Sequence, residues 1–273
     1  MGIDHYENFP VASMLVPPGL RAPIHEIYRF ARYADDIADE GDDAPPLRLA
    51  ALAALHAELD RIEAGAYPAG ERWSGLAGAV QAHRLPVELL RDLLRAFEQD
   101  VRGMVYRDYA DLHAYCRRSA NPIGRLLLAL YGRSEPELLR WSDAICTGLQ
   151  LVNFWQDVDK DHAIGRVYVP ESEFQRFGVD PAQIARRVAD TAWERLLRAQ
   201  TAVARELLVS GQPLAFALGG RIGWELRLVV QGGLRIAERI DAVRGDVFTQ
   251  RPVLGAGDWT RMAARAMTMS GAR

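Results

Sequence analysis

Two short stretches of this chain carry polar groups at helical spacing inside otherwise apolar surroundings. In the first, Tyr28, Arg32, Asp35 and Asp39 are spaced four, three and four, which sets them along one stripe of a helix. Asp35 and Asp39 lie one turn apart and can reach a common cation, with Asp36 beside them. Six acids fall between Asp35 and Asp43, and Gly41 reads as the residue just past the helix end. Acids in a last turn face the negative end of the helix dipole, and like charges four apart repel. A fold has no reason to favour that pattern unless something positive sits there.

The second stretch repeats the theme. Gln150, Asn153, Asp157 and Asp161 follow spacings of three, four and four, again at a helix end, while Leu151, Val152, Phe154, Trp155 and Val158 supply apolar packing. One such motif alone reads more simply as a solvated acidic helix end. Two of them, each with amide, phenol or guanidinium groups on the same stripe, point to carboxylates facing one cavity, where they would repel unless neutralised. Carboxylate oxygens select hard cations, and Mg²⁺ is typically held by a few carboxylates plus substrate phosphate. The residues therefore suggest a Mg²⁺-diphosphate site between two helices, where four or five carboxylates from Asp35, Asp36, Asp39, Asp157 and Asp161 face one another, above an apolar cavity for a hydrocarbon chain. Mn²⁺ suits the same donors. Metal and arginine together would activate diphosphate as a leaving group.

The elements that must position these residues are helices. Ala, Leu, Arg and Glu dominate, and apolar residues recur at three and four spacing through 24–38, 47–64, 87–105, 138–158, 184–209 and 214–243. Period-two alternation is confined to Arg166-Val167-Tyr168-Val169, and Pro170 ends it. The breaks at 41–46, 65–70, 162–170 and 211–213 are too short to divide domains. The expectation is one all-α domain over residues 1–273, about ten helices, with a central active-site cavity. The segment from Gly255 to Arg273 reads as either a closing helix or a lid.

Other chemistries find no support. The net charge is −3, with 33 basic and 36 acidic side chains, so there is no basic footprint for nucleic acid. Two cysteines, Cys116 and Cys146, make no disulfide framework and suit a reducing compartment. The six histidines lack paired metal spacing, and no nucleotide-binding glycine loop or nucleophile elbow is present. The start, MGIDHYENFP, lacks the features of a signal peptide, and no stretch approaches a membrane span. A cytoplasmic protein is expected.

The motifs resemble those of the squalene/phytoene synthase family of head-to-head prenyl synthases. YRFARYADDIADE is similar to its first aspartate-rich motif, QLVNFWQDVDKDHAIGRVYVP to its second, and the stretch from Asp111 to Cys116 to its Tyr-Cys element. The resemblance is clear from Phe9 to Pro170 and covers the rest as a helical pattern. It implies an isoprenoid-synthase helical bundle acting on prenyl diphosphates. Asp35, Asp39, Asp157 and Asp161 are implied as metal ligands, and Tyr28, Arg32, Gln150, Asn153 and Arg166 as substrate or diphosphate contacts. Arg118 stands where the family pattern has a tyrosine associated with proton handling. An arginine cannot act as a base, so it is expected either to hold diphosphate or to lie at the surface.

The opening segment from His5 to Ser13 and the run Arg117-Arg118-Ser119-Ala120-Asn121-Pro122 are similar to one bacterial subgroup. That likeness implies presqualene diphosphate and water as substrates, hydroxysqualene and diphosphate as products, and a place in hopanoid biosynthesis without a nicotinamide. Gln150 and Asn153 could hold the water, or could equally bond helix to helix. The competing expectations are a synthase forming presqualene diphosphate, squalene or phytoene, and a non-catalytic scaffold of the same fold. An insoluble C30 product is compatible with weak contact at the inner membrane face and with hand-off to neighbouring enzymes.

Overall fold

Strong helix formers interrupted by proline and glycine give fourteen α-helices and no strand among the described residues, 16–270 of the computed structural model. The resemblance of residues 5–13 lies outside that range. The first half comprises α1 (Pro18–Asp39), α2 (Pro45–Glu63), α3 (Ser74–His83), α4 (Val87–Arg102), α5 (Tyr109–Ser119) and α6 (Asn121–Leu130). The second comprises α7 (Pro136–Gln156), α8 (Val158–Ala163), α9 (Glu171–Phe177), α10 (Ala182–Arg186), α11 (Thr191–Gly211), α12 (Pro213–Leu218), α13 (Gly220–Ala242) and α14 (Ala256–Thr268). Proline stands in the first turn of α1, α2, α6, α7 and α12, where its missing N–H is not needed.

Two apolar clusters build one bundle. Phe30, Leu52, Leu59, Leu76, Leu90 and Leu94 anchor the cluster of α1–α4, to which α6 adds Leu126 and Leu130. Leu151, Trp155, Trp193, Leu197, Leu208 and Ile240 anchor the cluster of α7, α11 and α13. α5 and α6 lie at the seam between them.

Several expected boundaries shift, each for a local reason. The helix predicted over 87–105 ends at Arg102, where Gly103 takes φ 69°. The long pattern over 184–209 is cut after Arg186, because Arg187 turns left-handed at φ 53°. α11 then restarts at Thr191, capped by the Asp190 side chain, which accepts from Trp193 N at 2.9 Å. The pattern over 214–243 breaks at Gly219, φ 61°. The 166–169 segment is a loop rather than a strand. Its continuation is tied to the α4–α5 connection, with Glu171 N donating to Tyr106 O at 2.9 Å.

The segment after Gly255 is a closing helix. Asp258 accepts from Arg235 Nε at 2.6 Å and from Arg239, and Arg265 donates to Glu238 at 2.5 Å, so α14 is fixed along α13. The α7–α11 contact depends on small residues. A Cβ on Gly211 would fall 2.7 Å from Trp141 O and 2.5 Å from Ile145 Cγ1. Gly211→Ala is expected to cost about 2 kcal/mol by overpacking, read as a lowered urea midpoint with unchanged slope. An unchanged midpoint would show that this interface tolerates separation.

Candidate active site

A cavity of about 490 Å³ opens along the seam between the two clusters. Its body is apolar, walled by Ile27, Leu93, Phe97, Ile123, Leu127, Leu226 and Val229. One end is lined with charge. Tyr28, Arg32, Asp35 and Asp39 all reach it from α1, so the predicted stripe faces inward as a unit. Gln150 and Asn153 reach it from α7, Asp157 from the α7–α8 junction, and Asp161 from α8. The chain kinks at Asp157, yet Asp161 N still donates to Asp157 O at 2.9 Å. The four-residue register therefore survives the kink, and both carboxylates stay on one side.

Two predicted residues are not brought there. Asp36 points around α1 from the cavity and meets Arg32 Nη2 at 2.7 Å. Arg118 faces a separate pocket on the far side of α5 and donates to Gln99 Oε1 at 2.5 Å. Three residues beyond Tyr115, it is rotated off the stripe that Tyr115 and Ser119 present to the cavity. The arginine at 118 thus does not deprive the cavity of a phenol, because Tyr115 and Tyr168 both line it.

The acids of the two motifs are interleaved with arginines. Arg166 makes a fork with Asp39, joining the loop after α8 to the end of α1. Arg32 Nη1 donates to Asp35 at 3.0 Å. Arg251, from the loop after α13, holds Asp157 by two bonds of 2.5 and 2.8 Å. Even so, the carboxyls are strained electrostatically. Burial, then the neighbouring Asp39, pushes Asp35 up to about 7 despite Arg32 and Arg166. Burial and Asp157 push Asp161 up to about 8. These are carboxyls short of positive charge.

The donor set at this end is oxygen throughout, which suits a hard divalent cation. Among the described residues no three His, Cys, Asp or Glu side chains close around one point. An ion here would take one or two carboxylates and complete its shell with water and substrate phosphate, which is how Mg²⁺ usually binds. Asp35 and Asp39 from one side, and Asp157 and Asp161 from the other, fit that role.

The cavity's third wall lies outside both acidic motifs. Asp100, on α4, accepts from Tyr115 OH at 2.7 Å, and burial raises it to about 6. Tyr168 stacks on Phe154 with ring centroids 3.7 Å apart, and Tyr106 stacks on Tyr168. Burial lifts the pKa of Tyr115 and Tyr168 well above the ordinary phenol value, so both stay protonated. Asp100 was detectable, since it follows Leu93 and Phe97 at spacings of four and three on an apolar helix face. Arg251 had no such signal, because it lies in an irregular loop.

Comparison with known proteins gives a consistent picture. The family model described as squalene/phytoene synthase matches residues 4–258. A hydroxysqualene synthase of Sinorhizobium fredii is 35% identical over 242 residues, covering 86% of this chain and 78% of that protein. One from Rhodopseudomonas palustris is 34% identical over 227 residues, covering 82% and 75%. The crystal structure of a squalene synthase, HpnC, from Alicyclobacillus acidocaldarius superimposes with a TM-score of 0.81 at 36% identity, covering 88% of this chain and 90% of that one.

Proposed function

The chain belongs to the squalene/phytoene synthase family of prenyl diphosphate enzymes, and from that premise we propose that it converts presqualene diphosphate and water to hydroxysqualene and diphosphate. The observation that carries this reading is that Gln150, Asn153, Asp100 and Tyr115 line the same cavity as the paired carboxylates and the apolar wall. The likeness to two hydroxysqualene synthases supports it, and with it a place in hopanoid biosynthesis.

In this reading the charged end holds the diphosphate. Arg32, Arg166 and Arg251 supply positive charge, and Asp35, Asp39, Asp157 and Asp161 would hold magnesium. When bound, the metal would neutralise charge on the departing diphosphate. The carbon–oxygen bond breaks and leaves a cyclopropylcarbinyl cation inside the apolar body. Gln150 and Asn153 orient a water onto the rearranged cation, a new carbon–oxygen bond forms, and the water's proton passes to the Asp100 carboxylate. No electrons are gained or lost overall, so no nicotinamide is required. Among the described residues no helix is long and apolar enough to cross a membrane, and release of a C30 alcohol then calls for contact with a lipid surface or a following enzyme.

The test is product analysis with Mg²⁺ and no nicotinamide. Hydroxysqualene from presqualene diphosphate, and nothing from farnesyl diphosphate, is the expected result. Turnover of farnesyl diphosphate alone would instead support a second reading, head-to-head condensation. That reading is favoured by the two phenols, Tyr115 and Tyr168, which the cavity retains.

The raised carboxyls predict how metal binding responds to pH. Asp35 and Asp161 hold protons in the ligand-free protein below about 7 and about 8. A cation must displace those protons. Mg²⁺ affinity is therefore expected to rise from pH 6 to pH 9 with proton release, measured by calorimetry in buffers of different ionisation enthalpy. Flat affinity across that window would remove these two carboxyls from the metal site. Stability follows the opposite sign. A carboxyl whose folded pKa is raised stabilises the fold below its unfolded value of 3.8, and that stability is lost as pH rises through the folded value. Without metal the melting temperature should fall between pH 6 and pH 9, and Mg²⁺ should restore it.

A further inference from the structure

The run Arg117-Arg118-Ser119-Ala120-Asn121-Pro122 divides between two sides of the molecule. Ser119 and Ala120 line the main cavity, whereas Arg117, Arg118 and Asn121 line a second pocket of about 320 Å³. Asp92 and Arg125 complete the charged part of its wall, and no residue is shared with the main cavity.

Charge in this pocket does not balance internally. Arg125 is matched by Asp143 through bonds of 2.9 and 2.6 Å. Asp92 is matched by Arg95 at 2.8 Å. Arg118 has only the neutral Gln99 as acceptor, and its Nε is buried with no partner. Arg117 makes no hydrogen bond or ion pair among the described residues and adds a second positive charge. Asn121, 4% exposed, accepts from Thr147 Oγ1 at 2.9 Å, which fixes its side chain at the pocket wall. Two guanidiniums are thus gathered in a concave site whose one carboxylate, Asp92, is already engaged by Arg95. A half-buried guanidinium with an unpartnered Nε, such as that of Arg118, costs the fold stability unless an anion completes it. Planar forks of this kind match the oxygens of phosphate groups.

We propose that this pocket is a second oxyanion site that takes a phosphate or diphosphate group, separate from the site of reaction. The group has two chemical sources, free diphosphate in solution or the headgroup of an anionic phospholipid. The proposal is independent of which prenyl reaction the main cavity performs.

Labelled inorganic diphosphate in equilibrium dialysis, with the full chain and EDTA present, tests it. In the main cavity Arg32, Arg166 and Arg251 are engaged by carboxylates, so without metal the second pocket should dominate. The wild type is expected to bind about one diphosphate. Arg117→Gln/Arg118→Gln should bind it at least tenfold more weakly, after loss of two charge-assisted contacts. Arg118→Gln alone, a less drastic change, should show an intermediate loss with an unchanged circular dichroism spectrum. Absence of saturable binding to the wild type would overturn the proposal. So would binding lost in Arg166→Gln but kept in the double variant, since the anion would then sit in the main cavity. A second arm separates the sources by sedimentation with phosphatidylglycerol or phosphatidylcholine vesicles. Retention on phosphatidylglycerol alone, lost in the double variant and reversed by diphosphate, assigns the pocket to a lipid headgroup. Retention equal in wild type and double variant assigns it to the free anion.

Discussion

Asp35→Asn is expected to reduce turnover of a prenyl diphosphate by about three orders of magnitude, roughly 4 kcal/mol of transition-state stabilisation, without unfolding the protein. The carboxyl lines the charged end of the cavity, one turn from Asp39, and is among the groups that would carry metal to the leaving diphosphate. Its effect on stability should run the other way. Burial and Asp39 hold its pKa up to about 7, so its ionised form burdens the ligand-free fold above that pH. Asparagine keeps the shape and removes the charge. At pH 8.5 without metal the variant should melt no lower than the parent, while Mg²⁺ should raise its melting temperature less. Near-parent turnover under saturating Mg²⁺ would remove Asp35 from the chemistry. A large loss of melting temperature would show that the carboxylate serves the fold instead.

Arg166→Ala carries the second large effect, on both activity and stability. The Arg166 side chain is 14% exposed and paired with Asp39. Its charge also offsets the upward shifts of Asp35, Asp100 and Asp161. Burial is the largest influence and opposes that charge, but the bond to Asp39 and the neighbouring Tyr168 and Asp100 together outweigh it, so the guanidinium is held firmly protonated. Removing it leaves four acids without a shared cation. A destabilisation of about 2 kcal/mol is expected at neutral pH, together with a loss of turnover of about three orders of magnitude. The destabilisation should shrink at pH 5, where Asp35, Asp100 and Asp161 are protonated, and grow at pH 8.5. Arg166→Lys should recover most of the stability but little of the turnover, because an ammonium keeps the charge and loses the fork. A destabilisation independent of pH would contradict this electrostatic role.

What could be read without coordinates was whatever helical periodicity encodes. Tyr28, Arg32, Asp35 and Asp39 share a stripe by arithmetic, and so do Gln150, Asn153, Asp157 and Asp161, and both stripes do meet at one cavity. Residues placed by tertiary turns were not legible. Arg251 arrives from a loop nearly a hundred positions from its partner Asp157, with Gln156 Nε2 donating to Pro252 O to pin that loop. For Arg118 the motif leaves open whether it holds diphosphate or lies outside, and one step of helical rotation turns it out of the cavity. The long patterns over 184–209 and 214–243 were cut by left-handed backbone at Arg187 and Gly219. Apolar spacing continues across such a break and so conceals it.

The reading of the reaction depends above all on where the product's oxygen comes from. Presqualene diphosphate incubated with the enzyme and Mg²⁺ in ¹⁸O-labelled water, with the product analysed by mass spectrometry, addresses this directly. Hydroxysqualene carrying one heavy oxygen is expected, with Gln150→Leu and Asn153→Leu shifting the product toward dehydrated hydrocarbon. A product free of label, or a hydrocarbon from the unaltered enzyme, would contradict water capture in this cavity.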